Sequence, residues 1–157
     1  MIGAAVGALG IGGLVYVFDR HPETVYFLSN SLSFQSAGFN LFGVLGHHLP
    51  SFVHVYAFIL LTALVTSPYR LKPVYPCLAW FSIDSLFELG QYDPVAQWIA
   101  SLLAGGYSGL PFFENSAQYF LLGTFDVIDL VAIGAGTVAA YPTIRMVGGE
   151  YENEQFE

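Results

Sequence analysis

Three polar residues in an otherwise apolar stretch have the spacing of one helical face. Asp84, Glu88 and Gln91 stand at positions i, i+4 and i+7, which places their side chains together on a helix. A carboxylate inside a bilayer costs a few kcal/mol on insertion scales, so Glu88 needs a partner, a proton or a wet cavity. The helix dipole also disfavours negative charge near a helix C-terminus, where Glu88 lies. The pattern favours a functional role for this face.

Further ionisable groups are expected at the same depth. Asp126 and Asp129 occupy the first turn of the last apolar stretch, and His54 lies near the start of the second, after His47 and His48. If the helices alternate in direction, three segments bring these groups to one surface. Two ordinary interpretations stay open. Acids at the start of a helix are favoured by its dipole, and a histidine in an apolar helix is often a hydrogen-bonded packing residue.

The chemistry of these residue types is acid–base chemistry. A carboxylate beside an imidazole in a low-dielectric site can act as a general acid/base pair, so we expect Glu88 as the central acid or base with His54 as its partner. The expected orienting shell is Asp84, Gln91, Asp126 and Asp129. Metal binding by His54, Glu88 and Asp126 is an alternative, because mixed nitrogen and oxygen ligands suit Zn²⁺ or Mn²⁺. No compact metal motif is present, and no cofactor is expected.

The composition is typical of a polytopic membrane protein. Of 157 residues, 55% are hydrophobic and 10% are charged, against about 45–50% and about 25% in soluble domains. A net charge of −8 with only 4 cationic side chains leaves no phosphate-binding surface, which excludes a nucleic-acid partner. Cys77 is the only cysteine, so a disulfide scaffold is also excluded.

Apolar stretches long enough to cross a bilayer as helices set the predicted architecture. They cover residues 2–18, 51–66, 73–92 and 125–144. We predict an all-α fold with one four-helix transmembrane domain over residues 1–146 and an acidic tail over residues 147–157. Most of the Lys and Arg residues fall between the second and third helices or after the fourth. The positive-inside rule therefore predicts that both termini are cytoplasmic.

The external connections, residues 19–50 and 93–124, are apolar rather than hydrophilic. An Asp-Pro pair at the start and two glycines at the end favour a short helix over residues 94–104. This segment rises about 16 Å, roughly half the hydrocarbon thickness, so we predict an interfacial helix rather than a span. In the first helix, Gly3 and Gly7 have the spacing of a helix-packing groove.

In their order and spacing, the polar residues resemble those of VanZ-like membrane proteins. Residues 50–54, PSFVH, are similar to the start of that family's histidine-bearing second helix. Glu88-x-x-Gln91 resembles the Glu-x-x-Gln at the end of its third helix. Residues 123–129, GTFDVID, resemble the start of its Asp-led, glycine-containing last helix. The resemblance extends over about residues 50–141.

Two departures mark the chain as a divergent branch of that pattern. It lacks the Pro-Gly-Arg element that many relatives carry after Glu-x-x-Gln, and Ile133 stands where many have Asn. The resemblance implies a small four-helix protein of the bacterial cytoplasmic membrane. The family's founding member is associated with low-level resistance to teicoplanin-type glycopeptides. Such a resemblance implies location and architecture more directly than chemistry.

Two functions are compatible with these features. In the first, the polar site at the outer leaflet binds or modifies a lipid-linked or amphipathic envelope molecule, and any reaction is proton transfer or metal-assisted hydrolysis. In the second, the chain is a non-catalytic accessory subunit whose buried acids pair with other membrane protein subunits, because acids outnumber bases. Membrane lipids are expected partners in both. Whether the chain is an enzyme stays open.

Overall fold

The computed structural model describes residues 1–19, 41–69, 71–106, 117 and 119–154. All regular secondary structure in these ranges is helical, which confirms the predicted all-α fold. The α-helices are α1 (Ile2–Phe18), α2 (Leu45–Thr66), α3 (Val74–Gly90), α4 (Asp93–Gly106) and α5 (Val127–Glu154). Much of the two predicted external connections, at residues 20–40 and 107–116, lies outside the described residues.

The centre of the fold is α2, because α1, α3 and α5 all pack against it. Side-chain contacts place α3 antiparallel to α2 and α5 parallel to α2. The C-terminus of α1 lies beside the start of α2, so these two helices are also antiparallel. One end of the bundle therefore gathers the start of α2, the end of α3 and the start of α5.

Small side chains let α1 and α2 approach closely. The buried residues of α1 are Ala5, Ala8, Gly12 and Val15. A Cβ atom added at Gly12 would lie 2.9 Å from Cγ2 of Val53. The glycine surface predicted at Gly3 and Gly7 is not used for packing within the described residues, since an added Cβ at either position would meet nothing within 4 Å. The 3-4-3 spacing of the buried residues puts the packing stripe on a different face of the helix.

The start of α2 lies earlier than predicted, at Leu45 rather than at residue 51. Pro50 is inside the helix. The N–H groups of Gly46 and His47 donate to carbonyls three residues earlier, which forms a tight first turn ahead of the proline. Pro50 is the sixth residue of the helix and has no N–H to donate to the carbonyl of Gly46, so α2 continues through it with that hydrogen bond missing.

Asp19, the residue after α1, ties that helix to the start of α2. Its carboxylate oxygens accept hydrogen bonds from the backbone N–H groups of Leu41 and Phe42, each at 2.8 Å. These N–H groups precede α2, where backbone donors and the helix dipole favour a negative charge. Asp19 therefore has a structural role at the end of the bundle that also holds the acids of α3 and α5.

The other helix bounds are close to prediction. Both α3 and α4 lie within about two residues of the predicted segments. The last helix begins at Val127 rather than residue 125, because Asp126 caps it by accepting the N–H of Ile128 at 2.8 Å. It continues past Pro142 to Glu154, so helix extends into the residues predicted as the acidic tail.

Two helices in the described ranges are long and apolar enough to cross a bilayer: α2 with the turn after it (Leu45–Tyr69), and Val127–Val147 of α5. Only 33% and 22% of their apolar windows is buried inside the protein, so most of this hydrophobic surface faces outward. The core helix of a soluble protein would be mostly buried. This indicates a membrane protein. The helix α1 is apolar but shorter, at 17 residues.

Candidate functional site

Three helices are joined in pairs by polar contacts at one end of the bundle. His54 joins α2 to α3, His48 joins α2 to α5, and Glu88 joins α3 to α5. We call the residues of these contacts the polar cluster. Its members are His48, His54, Asp84, Glu88, Asp126 and Asp129. All the predicted site residues are among them except Gln91, which lies one turn beyond Glu88.

His54 contacts Asp84 across the seam between α2 and α3. Nδ1 of the imidazole lies 3.3 Å from Oδ2 of a carboxylate that is 10% exposed, whereas the His54 side chain is 52% exposed. With an ionised carboxylate, which only accepts hydrogen bonds, and a neutral ring, Nδ1 carries the hydrogen and Nε2 keeps its lone pair. The contact leaves an acceptor nitrogen toward the outside of the seam.

Aromatic side chains next to the His54–Asp84 contact hold α2 against α3. The ring of Phe58 stacks on Trp80 with centroids 4.7 Å apart. It also meets the ring of His54 edge-on, with centroids 4.3 Å apart. Trp80 Nε1 donates to Oγ1 of Thr62 at 2.8 Å. His54, Phe58 and Thr62, at i, i+4 and i+8 of α2, thus face Asp84 and Trp80, which are four residues apart on the antiparallel α3. This register sets the position of His54.

His48 forms the second contact of the polar cluster. Its Nδ1 lies 3.0 Å from Oδ1 of Asp129 and 3.9 Å from Oδ2 of Asp126. The side chains of His48 and Asp129 are 19% and 18% exposed. This histidine belongs to the turn of α2 that precedes Pro50. The two acids at the start of α5 therefore have an imidazole partner as well as the helix dipole.

Glu88 is buried, with 7% of its surface exposed. Its Oε1 accepts the backbone N–H of Asp126 at 2.7 Å. The N–H belongs to the residue that caps α5, so Glu88 anchors the start of that helix to α3. The predicted pairing of Glu88 with His54 is not what the structure shows, because His54 is held by Asp84 instead. A carboxylate one turn earlier on α3 faces the imidazole, and Glu88 faces the backbone of α5.

Gln91 lies next to the polar cluster, at the C-terminal end of α3. Its Nε2 donates to the phenolic oxygen of Tyr119 at 3.2 Å. A Cβ added at Gly123 would clash with the Gln91 side chain, and one added at Gly90 would lie 2.6 Å from the ring of Phe120. Loss of water contact raises the pKa of the Tyr119 phenol above its usual range, and the charge of Glu88 adds to that effect.

No three His, Cys, Asp or Glu side chains among the described residues are grouped so that they hold a metal ion. The predicted ligands His54, Glu88 and Asp126 have separate partners. His54 contacts Asp84, and Glu88 binds a backbone N–H rather than presenting its carboxylate toward the imidazole. This arrangement does not form the metal site proposed from their residue types. Cys77 is buried on α3, well before the cluster in the helix.

An open apolar groove lies on α3 beside the cluster. Its lining residues are Ile83, Leu86, Phe87 and Phe120. Phe87 and Phe120 stack with centroids 5.7 Å apart. Phe87 is three residues after Asp84, so these two side chains are neighbours on the surface of α3. The groove is lined by hydrocarbon and ends near the polar groups of Gln91 and Tyr119.

The charge at this end of the bundle is negative. The polar cluster contains four carboxylates and two imidazoles. Lys72 and Arg145 are the basic residues of the described chain, and they belong to the opposite end, before α3 and late in α5. Histidine is therefore the nitrogen-bearing side chain that contacts the cluster's acids among these residues.

Sequence reasoning missed His48 as a member of the cluster. The predicted second helix began after Pro50, which left His48 in a connection rather than on a helical face. The signal that would have found it is the spacing of His48 and His54, which are six residues apart. Two residues at this spacing lie on different sides of a helix. One imidazole can therefore face α5 while the other faces α3.

Comparison with protein-family models, with curated proteins and with solved structures gave no match to this chain. The outward-facing apolar helices and the polar cluster are the features of the described chain that bear on its function.

Proposed function

We propose that this chain is a VanZ-like integral membrane protein of the bacterial cytoplasmic membrane, with four spans and both termini in the cytoplasm. The helices α1 and α3, at 17 residues each, meet the lower limit of about 17 residues for a span. Exposed apolar side chains such as Leu9, Leu78 and Leu86 on these helices suit contact with lipid. Lys72 and Arg145 at one end support the cytoplasmic assignment of that end.

We further propose that the polar cluster, at the outer leaflet, binds the polar part of an amphipathic or lipid-linked envelope molecule. The observation that carries this proposal is the pairwise joining of α2, α3 and α5 by three ionisable contacts at one end. Buried ionisable groups in a membrane protein are costly and mark functional sites by default. Glycopeptide resistance is the phenotype that the family resemblance favours.

The experiment is to purify the full chain from bacterial membranes in mild detergent and to record its native mass spectrum. We expect a retained lipid-sized adduct. The double variant His48→Gln/Asp129→Asn should lose it, because the imidazole–carboxylate contact is replaced by a weaker neutral one. Tyr75→Phe, at an exposed position at the opposite end of α3, is the control and should retain it.

The same adduct distribution in the wild type and the double variant would contradict the proposal. A parallel measurement is the teicoplanin susceptibility of cells that express each variant. We expect the wild type and Tyr75→Phe to reduce susceptibility and the double variant to have no effect. Susceptibility that does not depend on any of these residues would remove the link to glycopeptides and leave the binding result to stand by itself.

A non-catalytic accessory role is the second candidate, and the outer face of α1 favours it. An added Cβ at Gly3, Gly7 or Gly10 would meet nothing within 4 Å, so this small-residue surface is open to close approach by another helix. Gentle solubilisation followed by size separation tests the idea. A stoichiometric partner whose association is lost in Gly7→Leu, but not in Gly13→Leu, would support the accessory role. A chain that runs without a partner would contradict it.

A further inference from the structure

His54 uses one of its two ring nitrogens in a hydrogen-bonding contact within the described chain. Asp84 holds Nδ1, and Nε2 has no hydrogen-bond partner among the described residues. The side chain is nevertheless 52% exposed and belongs to a helix made largely of apolar residues. In a bilayer an unsatisfied polar atom of this kind costs free energy. The partner of Nε2 is therefore expected to come from a second molecule at the membrane.

The charges around Nε2 of His54 indicate which chemical groups the second molecule carries. Because Nδ1 carries the hydrogen, Nε2 accepts hydrogen bonds, so the ligand supplies a donor. The carboxylates of the polar cluster favour a positive charge, and the described basic residues lie at the opposite end. An anionic head group would meet several carboxylates of like sign, whereas an ammonium group supplies both the positive charge and N–H donors.

The apolar groove beside Asp84 indicates the chemistry of the remaining part of the ligand. Its four lining residues, Ile83, Leu86, Phe87 and Phe120, offer an apolar surface. A hydrocarbon chain of a membrane amphiphile buries apolar area there without a polar cost. A head group at His54 and a chain in this groove would touch neighbouring positions of α3, because Phe87 is three residues from Asp84.

Building on the proposed function, we propose that His54 and this groove bind a long-chain amphiphile whose head group is a primary ammonium. Nε2 of His54 accepts an N–H of the ammonium group, the carboxylates of the polar cluster balance its charge, and the chain lies along Ile83 and Phe87. The ligand comes from the membrane, since its chain occupies a surface of α3 that faces outward.

The probe is hexadecylamine, added to the purified full chain in neutral-detergent micelles at about pH 8, where a free imidazole is neutral and an alkylamine is charged. In a Trp98→Phe background Trp80 is the only tryptophan, and its ring lies 6.4 Å from that of His54. We expect a saturable change in Trp80 emission. Hexadecyltrimethylammonium has the same chain and charge but no N–H donor, and we expect it to bind at least about tenfold more weakly.

Two further measurements distinguish the contribution of the head group to binding from that of the hydrocarbon chain. Butylamine should bind at least about tenfold more weakly than hexadecylamine, because it cannot fill the groove. His54→Phe should weaken hexadecylamine binding by a similar factor, whereas Leu78→Ala, exposed on α3 outside the groove, should leave it unchanged. The comparison of the two long-chain cations uses the wild-type histidine, so it decides the question even if His54→Phe does not fold.

Equal binding of the two long-chain cations, or full affinity in folded His54→Phe, would overturn the inference. If an envelope lipid co-purifies through His48 and Asp129 while hexadecylamine shows no preference, the proposed function stands and this ligand class is wrong. If neither the native adduct nor hexadecylamine binds, both the inference and the proposed function fail.

Discussion

Glu88 shows how one buried carboxylate can hold a fold together beside a site. Its Oε1 accepts the N–H of Asp126, the residue whose own side chain caps α5. The carboxylate thus acts on α5 as an extension of its N-terminal cap, from a different helix. The imidazoles of the cluster are held by other acids, so the position of Glu88 depends on α5 rather than on His54.

We predict that the two changes Glu88→Gln and Glu88→Leu separate packing from ionisation. The amide oxygen of glutamine can still accept the N–H of Asp126, so the thermal midpoint should change little. Leucine removes the acceptor and leaves a part-buried donor unsatisfied, which should lower the free energy of unfolding by about 1 kcal/mol. Thermal unfolding in detergent with a fluorescent reporter measures both.

The functional result for Glu88→Gln follows from the same comparison. If the negative charge of Glu88 belongs to the binding site, Glu88→Gln should fold normally and lose the native lipid adduct. Full retention of the adduct in folded Glu88→Gln would show that Glu88 serves only to anchor α5.

At the scale of helices, close approach depends on particular glycines rather than on glycine content. A Cβ added at Gly136 of α5 would lie 2.5 Å from Cγ1 of Val55 and 2.6 Å from the backbone oxygen of Phe52. Two residues earlier, at Gly134, an added Cβ would meet nothing within 4 Å. The backbones of α2 and α5 are therefore in contact at one glycine and open at its neighbour.

We predict that Gly136→Ala destabilises the protein and Gly134→Ala does not. The first change forces α2 and α5 apart against a backbone atom, and overpacking of this kind typically costs about 1–3 kcal/mol. The second should be neutral or stabilising by up to about 1 kcal/mol, because alanine is the better helix former. Denaturation of the two variants in the same detergent provides the comparison. Equal stabilities would mean that the two helices separate without cost.

At the scale of the whole molecule, charge and polarity divide the bundle into two ends. The polar cluster and Asp19 occupy the end where α2 and α5 begin, and Lys72 and Arg145 belong to the other. The N-terminus of α1 and the C-terminal half of α5 also lie at the basic end, given the helix directions. A membrane inserted across this axis would hold both termini on the side of the basic residues.

We predict the orientation from single-cysteine labelling in a Cys77→Ala background. A membrane-impermeant maleimide applied to intact cells should react with Ser101→Cys on α4 and not with Ser67→Cys in the turn after α2. Both serines are exposed, so access depends on the side of the membrane. Labelling after the cells are opened is the control. Reaction of Ser67→Cys alone in intact cells would invert the topology and move the polar cluster to the cytoplasmic leaflet.

Much of the helical architecture followed from local pattern. Apolar runs and breakers predicted α3 and α4 to within about two residues, because helix formation depends on neighbouring residues. The spacing of Asp84 and Glu88 placed both on one face for the same reason. The start of α2 was missed, because a proline is typical of a helix boundary in sequence, whereas α2 continues through Pro50 with one hydrogen bond missing.

The pairing of the ionisable side chains required the folded chain. Periodicity tells which residues of one helix share a face, but not how far a neighbouring helix is rotated or shifted along its axis. Close contact at Gly12 and Gly136 sets those offsets for α1 and α5 against α2. With that register, Asp84 meets His54, and Glu88 meets the backbone of Asp126 instead of an imidazole. A shift of one turn, about 5.4 Å, exchanges such partners while leaving every helix and every apolar face unchanged.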